Sequence, residues 1–289
     1  MDDNLPPAQA ATFALPRHSI LSIEGPDAVR FAHAQFMSDV ASLADGHWHW
    51  SGWLTPKGRV IALFALLRFE GGKLWLLLPD ADAEVLQASM QRFVFRSKVA
   101  LNVLGDARVS GSFSPPSLAS GGRFGGSAEG ALELDMGSAA SPRTLYVHGE
   151  VAPMDADAAG KWDAFDLAHG LPHLAASQAE QWTPQQLSLD RLHAYSVKKG
   201  CYPGQEIVAR THFLGQAKRG LVLFDAGTAI SVGDEVRDDE RAVGTVVSAA
   251  SSAGKSLILA VLPLDHAAEG LSVDGVPLHP RALLDGLAR

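Results

Sequence analysis

The sequence predicts an α+β fold that closes with a small β-barrel. Two observations carry this. Over the first two thirds, stretches of helical period interleave with short alternating strands. After Gly215 the pattern changes to short β runs separated by Gly, Asp and Ser, with no long helix among them.

Residues 1–11, polar and rich in Pro and Ala, read as a flexible tail. Ser19 to Ile23 reads as a strand. Gly25-Pro26-Asp27 ends it and opens a helix with Asp27 as cap, and Val29, Ala32, His33, Phe36, Met37 and Val40 share one face. His47-Trp48-His49-Trp50 alternates as a strand does, and Trp53 to Arg59 reads as a strand end and tight turn. Val60 to Phe69 and Lys73 to Leu78 form a hairpin across Gly71-Gly72. Leu86, Met90, Phe93 and Val94 mark a second helix, opened by Asp80 or Asp82. Val99 to Leu104 and Ala107 to Ser112 read as a strand pair, and Ser114 to Gly130 as a flexible loop. Leu132 to Leu134 and Thr144 to Val147 resume the strand pattern. Ala158 to His169 reads as a helix stopped by Gly170 and Pro172. The barrel strands are Leu221 to Phe224, Glu235 to Arg237, Val243 to Ala249, Leu257 to Leu262 and Gly275 to Leu278.

Composition narrows the function. A net charge of −8 argues against a general nucleic-acid coat, which needs a basic face to displace counterions. The longest apolar run, Val60 to Leu67, is far short of the ~18 residues that span a bilayer. The first sixteen residues hold no Lys or Arg, unlike a secretory signal or an Arg-rich presequence, and one cysteine gives no disulfide framework. The expectation is a cytoplasmic protein with no membrane partner.

That one cysteine, Cys201, stands in Lys198-Lys199-Gly200-Cys201-Tyr202-Pro203-Gly204-Gln205-Glu206. A free cysteine is most often a small buried hydrophobe. Here two lysines precede it and a Pro-Gly turn and helix start follow, features a core filler does not need and a reactive thiolate does. His169 and His173 have metal-pair spacing, but Gly170 and Pro172 break the helix that would align them, so a metal site made only of protein ligands is not expected. Gly254-Lys255-Ser256 has Ala249 where a phosphate loop needs Gly, and it reads as a hairpin turn. Among six tryptophans, Trp48, Trp50 and Trp53 cluster, and Trp162 and Trp182 flank the segment before Cys201. Core packing is expected of most of them, while an aromatic wall could also stack a flat heterocycle.

Lys199 to Glu206, K-G-C-Y-P-G-Q-E, followed by Arg210 and Gly215, closely resembles the signature of the YgfZ family. These are folate-binding proteins similar in fold to the aminomethyltransferase (T-protein) of the glycine cleavage system. Ile23 to Val40, Leu54 to Arg59, Trp162 with Gly170-Leu171-Pro172, Trp182 to Gln185 and Val243 to Val246 resemble further parts of the family.

The resemblance implies an aminomethyltransferase-like fold of interleaved α/β subdomains. Residues 12–214 would form the folate-binding module and 215–289 the barrel. It implies a tetrahydrofolate-binding factor that supports assembly or repair of iron–sulfur clusters in client enzymes, including radical enzymes that thiolate tRNA. The partners would be such clients or cluster carriers, with no bulk nucleic-acid binding and no permanently bound metal. Cys201 would be the working thiol, with Lys198 or Lys199 holding the thiolate. Gly200 and Gly204 would supply its turns, with Tyr202 and Gln205 completing the signature. Glu206 and Arg210 would fix the helix as an i, i+4 pair. Trp162, Trp53 and Arg59 are the folate-side candidates, with Arg59 or Lys57 meeting the glutamate tail or forming a solvated turn. The rival reading is a folate-dependent aminomethyl- or methyltransferase. It is lowered because no acidic residue can be placed for the folate amine.

Overall fold

The computed structural model describes residues 11–213, 215, 217–252 and 255–289. Residues 1–10 of the tail expected over 1–11, and the turn expected at Gly254, lie outside them.

The chain begins with β1 (Phe13–Ala14), β2 (Ser19–Glu24) and helix α1 (Ala28–Gln35). Then come β3 (His47–Leu54), β4 (Val60–Arg68), β5 (Leu74–Leu78), helix α2 (Ala83–Gln91) and β6 (Ala100–Val103). A first antiparallel sheet takes the order β3-β4-β5-β2-β6. Both of its faces are covered, which is why β4 reads as an unbroken apolar run. Ala62, Phe64 and Leu66 face α1 and α2, while Leu63, Ala65 and Leu67 face the central core. The same alternation separates the tryptophans. Trp48 and Trp50 point into the central core, whereas Trp53 points to the helix side.

Next come β7 (Arg108–Ser112), β8 (Gly125–Gly126), β9 (Leu132–Asp135), β10 (Thr144–His148) and helix α3 (Ala156–Ala168). The second sheet runs β1-β7-β10-β9-β8. Its inner residues, among them Val109, Leu134 and Leu145, join the central core. Helix α4 (Gln205–Phe213) then leads to β11 (Arg219–Ala226), β12 (Glu235–Asp238), β13 (Arg241–Ser252), β14 (Lys255–Pro263), β15 (Ser272–Val273) and β16 (Val276–Arg281). These last strands close into a barrel in the order β11-β14-β13-β12-β15-β16, which leaves no free sheet edge. Phe224, Val246, Ile258 and Ala260 fill it, while Val247, Leu259 and Val261 look outward into the central core.

Several local expectations change. Asp27 precedes α1 but makes no side-chain cap, and its carboxylate accepts instead from Lys98 N at 2.8 Å. Helix α1 stops at Gln35, because Phe36 turns extended and bridges to Trp53. Phe36, Met37 and Val40 are buried, but not on one helical face. Of the two candidate caps for α2, Asp82 is the one used, accepting from Glu84 N and Val85 N. β6 and β7 are not partners. β6 pairs with β2 in the first sheet and β7 with β1 and β10 in the second. The segment expected as a loose loop is held by carboxylates. Glu133 accepts from Ser117 Oγ, Leu118 N and Ala119 N, and Asp135 from Gly121 N. After the barrel the chain returns to the core, where Leu287 O accepts from Trp50 Nε1 at 2.8 Å.

Candidate functional site

The signature is a loop fixed at both ends around an exposed thiol. Ser196 N donates to Met37 O, and Ser196 Oγ accepts from both Lys198 N and Lys199 N. The Tyr202 hydroxyl donates to Ser196 O at 3.1 Å, and Gln205 Nε2 donates to Lys199 O at 2.9 Å. Tyr202 and Val208 are buried in the central core. Cys201 is exposed between these anchors.

Lys199 is an anchor, with its ammonium turned to backbone carbonyls. Its side chain is buried, and Nζ donates to the carbonyls of His33, Phe36 and Ser38. Those carbonyls lie at and just beyond the C-terminal end of α1, which is where a cation is favoured. Nζ also lies 4.7 Å from the Tyr202 ring centroid. Burial pushes the Lys199 pKa down to about 8, with Asp39 opposing in part. Lys198, by contrast, is exposed. Glu206 and Arg210 form the expected pair at 2.7 Å, with both side chains largely in solvent, so the pair supports α4 only slightly.

The turn before β4 carries the loop. Gly204 has φ +78°, and a Cβ there would lie 2.6 Å from Gly58 Cα and 2.7 Å from Thr55 O. Gly58 has φ +70°, and its own Cβ would meet Ile207 of α4 at 2.9 Å. Two motifs far apart in sequence, Leu54 to Arg59 and Lys199 to Glu206, thus pack backbone against backbone. Gly200 has open space around it. Arg59 Nη1 donates to Gln181 O at 2.7 Å and Gln186 Oε1 at 3.1 Å, tying the turn to the segment around Trp182.

The folate-side candidates do not converge. Trp53 and Arg59 line an open cleft of about 600 Å³ that also touches Pro203. Trp162 lies elsewhere, fully buried in α3. The Arg143 guanidinium covers its ring at 3.8 Å, and a Cβ at Gly111 would press on it at 2.8 Å. Trp162 therefore has no open face for stacking. Trp48 and Trp50 pack edge to face at 5.4 Å in the core.

A buried charge network, which local sequence did not signal, stands between the two sheets and α3. Arg143 Nη2 donates to Asp166 at 2.5 Å, and Asp166 pairs with His173 Nε2 at 3.2 Å. His173 Nδ1 meets both Asp80 oxygens at 2.9 Å. Burial works against the His173 imidazolium, but Asp80 and Asp166 outweigh it and raise its pKa to about 10. Burial also disfavours the Asp166 carboxylate, yet Arg143 and His173 hold it below the usual range. Beside them His18 is pushed to about 4 by burial, and its Nδ1 is buried without a partner among the described residues. His18 lines an open cleft of about 480 Å³ with Arg17 and Asp80. Asp166 and His173 are near neighbours in sequence, but Asp80 stands 93 residues before His173, and that separation hid the cluster. Among the described residues no group of His, Cys, Asp and Glu side chains is arranged to hold a metal ion. No helix among them is long and apolar enough to cross a membrane.

The architecture is that of the aminomethyltransferases. The glycine cleavage system aminomethyltransferase T from Bartonella henselae superposes with a TM-score of 0.74, covering 96% of this chain and 86% of that one, at 17% identity. In sequence the chain is similar to proteins of another name. The tRNA-modifying protein YgfZ of Vibrio vulnificus is 29% identical over 279 residues, covering 89% of this chain and 85% of that protein. Its namesake in Cronobacter sakazakii is 27% identical over 280 residues, covering 84% of each. An uncharacterized Haemophilus influenzae protein is 27% identical over 259 residues, 83% of this chain and 85% of its own. No protein-family model matches the chain. The likeness to YgfZ read from the signature thus extends along most of the chain, on an aminomethyltransferase-like fold.

Proposed function

We propose that this protein is a tetrahydrofolate-binding factor that supports the assembly or repair of iron–sulfur clusters in client enzymes of the cytoplasm. The clients include enzymes that thiolate tRNA, in keeping with the name its relatives carry. The observation that carries the reading is the exposed Cys201 on a loop anchored through Lys199, Tyr202 and Gln205. A thiol that only filled space would be buried. As thiolate, Cys201 Sγ donates an electron pair to an iron of a cluster in transit, its proton passing to solvent, while the client supplies the remaining ligands. Lys198 is the cation free to favour that thiolate.

The folate reading fits the region around His18, where an unpartnered buried nitrogen adjoins a cleft of small-molecule size. His18 and Arg17 would hold the ligand there. Trp162 stands behind the Arg143–Asp166 pair, so its part is to support the seat, since neither ring face is open. The transferase reading needs a free acid or base near the transferred group. The buried acids there, Asp80 and Asp166, are each neutralised by cations, which counts against it.

The decisive test is replacement of the native gene by Cys201→Ala and Cys201→Ser variants, reading thiolated nucleosides in tRNA. Loss of thiolation in both, at normal protein level, is expected. Full thiolation with Cys201→Ala would remove the working thiol.

A further inference from the structure

We propose that the cleft beside Cys201 is a docking seat for an acidic segment of a partner protein that also carries an apolar anchor. The inference rests on the reading that Cys201 serves a protein partner. It concerns a different surface from the folate region.

The cleft opens between the Leu54–Arg59 turn and the end of α2, and Pro203, two residues from Cys201, forms part of its wall. Its volume of about 600 Å³ takes several side chains. Trp53, Pro203 and Phe93 form its apolar lining, and the rings of Trp53 and Phe93 meet edge to face at 5.7 Å. The Trp53 indole Nε1 is buried and has no hydrogen-bond partner among the described residues. Phe93 is 47% exposed and Phe95, two residues on, is 85% exposed. An exposed aromatic pair is unusual for a surface that stays in water, and aromatic and Arg side chains are enriched where proteins meet.

Charge selects the partner. Lys57 and Arg92 stand at the cleft, Arg96 stacks beside Phe95 at 5.3 Å, and Lys198 flanks the thiol. None of these four takes part in an ion pair among the described residues. Arg59 is turned inward to Gln181 and Gln186, and among the described residues Glu180 is the one acid lining the cleft. A cationic, aromatic face on a chain of net charge −8 is complementary to an acidic, apolar segment. It is too small a basic patch to hold a long polyanion against that net charge, which disfavours an RNA occupant.

The test uses the full-length protein and fluorescence anisotropy with four short labelled probes. These are a peptide alternating Asp/Glu with Leu/Phe, its Lys-substituted and its Ser-substituted counterparts, and oligouridylate. The acidic apolar peptide is expected to bind best. Lys57→Glu with Arg92→Glu should weaken it by about tenfold or more, and Phe93→Ser should weaken it separately. Circular dichroism checks that each variant is folded, and Cys201→Ala should leave the affinity unchanged. Absence of binding by the acidic apolar peptide, binding indifferent to charge reversal, or tighter binding of oligouridylate would overturn the proposal. If docking fails while thiolation still needs Cys201, the seat is wrong and the working thiol stands. If docking holds while Cys201→Ala supports thiolation, the reverse is true.

Discussion

Gly58 and Gly204 touch through their backbones. A Cβ on Gly204 would sit 2.6 Å from Gly58 Cα, and both residues have positive φ. The contact presses the loop that carries Cys201 onto the turn that begins β4. Gly204→Ala should therefore destabilise the protein by about 1–2 kcal/mol from the left-handed backbone alone, with the clash adding to it. Urea unfolding measures the loss. Gly200→Ala, with open space around it, should cost much less. Equal losses at the two positions would argue against the contact.

Lys199→Met should lower stability by about 1–3 kcal/mol, because carbonyls of His33, Phe36 and Ser38 lose their shared donor. Lys198→Met, at an exposed side chain, should leave the unfolding midpoint nearly unchanged. Urea unfolding of the two variants separates the anchoring lysine from the exposed one.

Arg143→Met leaves Asp166 buried with one cation fewer and uncovers the Trp162 ring. A loss of about 3 kcal/mol or more is expected, measured by thermal and urea unfolding. Asp166→Asn in the same background should recover part of it, because the uncompensated charge is then gone.

Stability should peak near neutral pH. The folded-state pKa of His18 and of His49 is pushed to about 4, mainly by burial. The unfolded chain then binds more protons between pH 4 and the ordinary histidine value of 6.5, so stability rises across that window. His173 has the opposite sign. Its pKa of about 10 in the folded protein means stability falls as pH rises from 6.5 toward 10. Lys199, lowered to about 8, offsets part of that fall above pH 8. Unfolding midpoints across pH check this, and His173→Gln should flatten the alkaline limb.

His18→Ala should weaken binding of 5-formyltetrahydrofolate in calorimetry without altering tRNA thiolation as severely as Cys201→Ala. Unchanged affinity would move the folate seat away from His18.

Much of the fold follows from local pattern. The β4–β5 hairpin, the helix at α3 and most barrel strands have period and turn residues that specify them within a few positions. Errors fall where the deciding partner is distant. Asp27 has the chemistry of a cap, but Lys98 N, 71 residues on, takes its carboxylate. The runs at β6 and β7 look like a hairpin, yet β2 and β10 compete for them and win. The Ser114 to Gly130 segment has a linker's composition, yet Glu133 and Asp135 organise it.

For the candidate site, sequence alone determined that Cys201 is the single thiol, that it stands in a turn before a helix, and that its neighbours form a YgfZ-like signature. Those are properties of adjacent residues, and short-range sterics and capping fix them. The tertiary structure decided which lysine is buried, which tryptophan borders a cleft, and where the charges of Asp80, Asp166 and His173 meet. These depend on burial and on contacts between segments 90 or more residues apart, as between Asp80 and His173. Neither desolvation nor a distant counter-charge leaves a periodic trace in the chain.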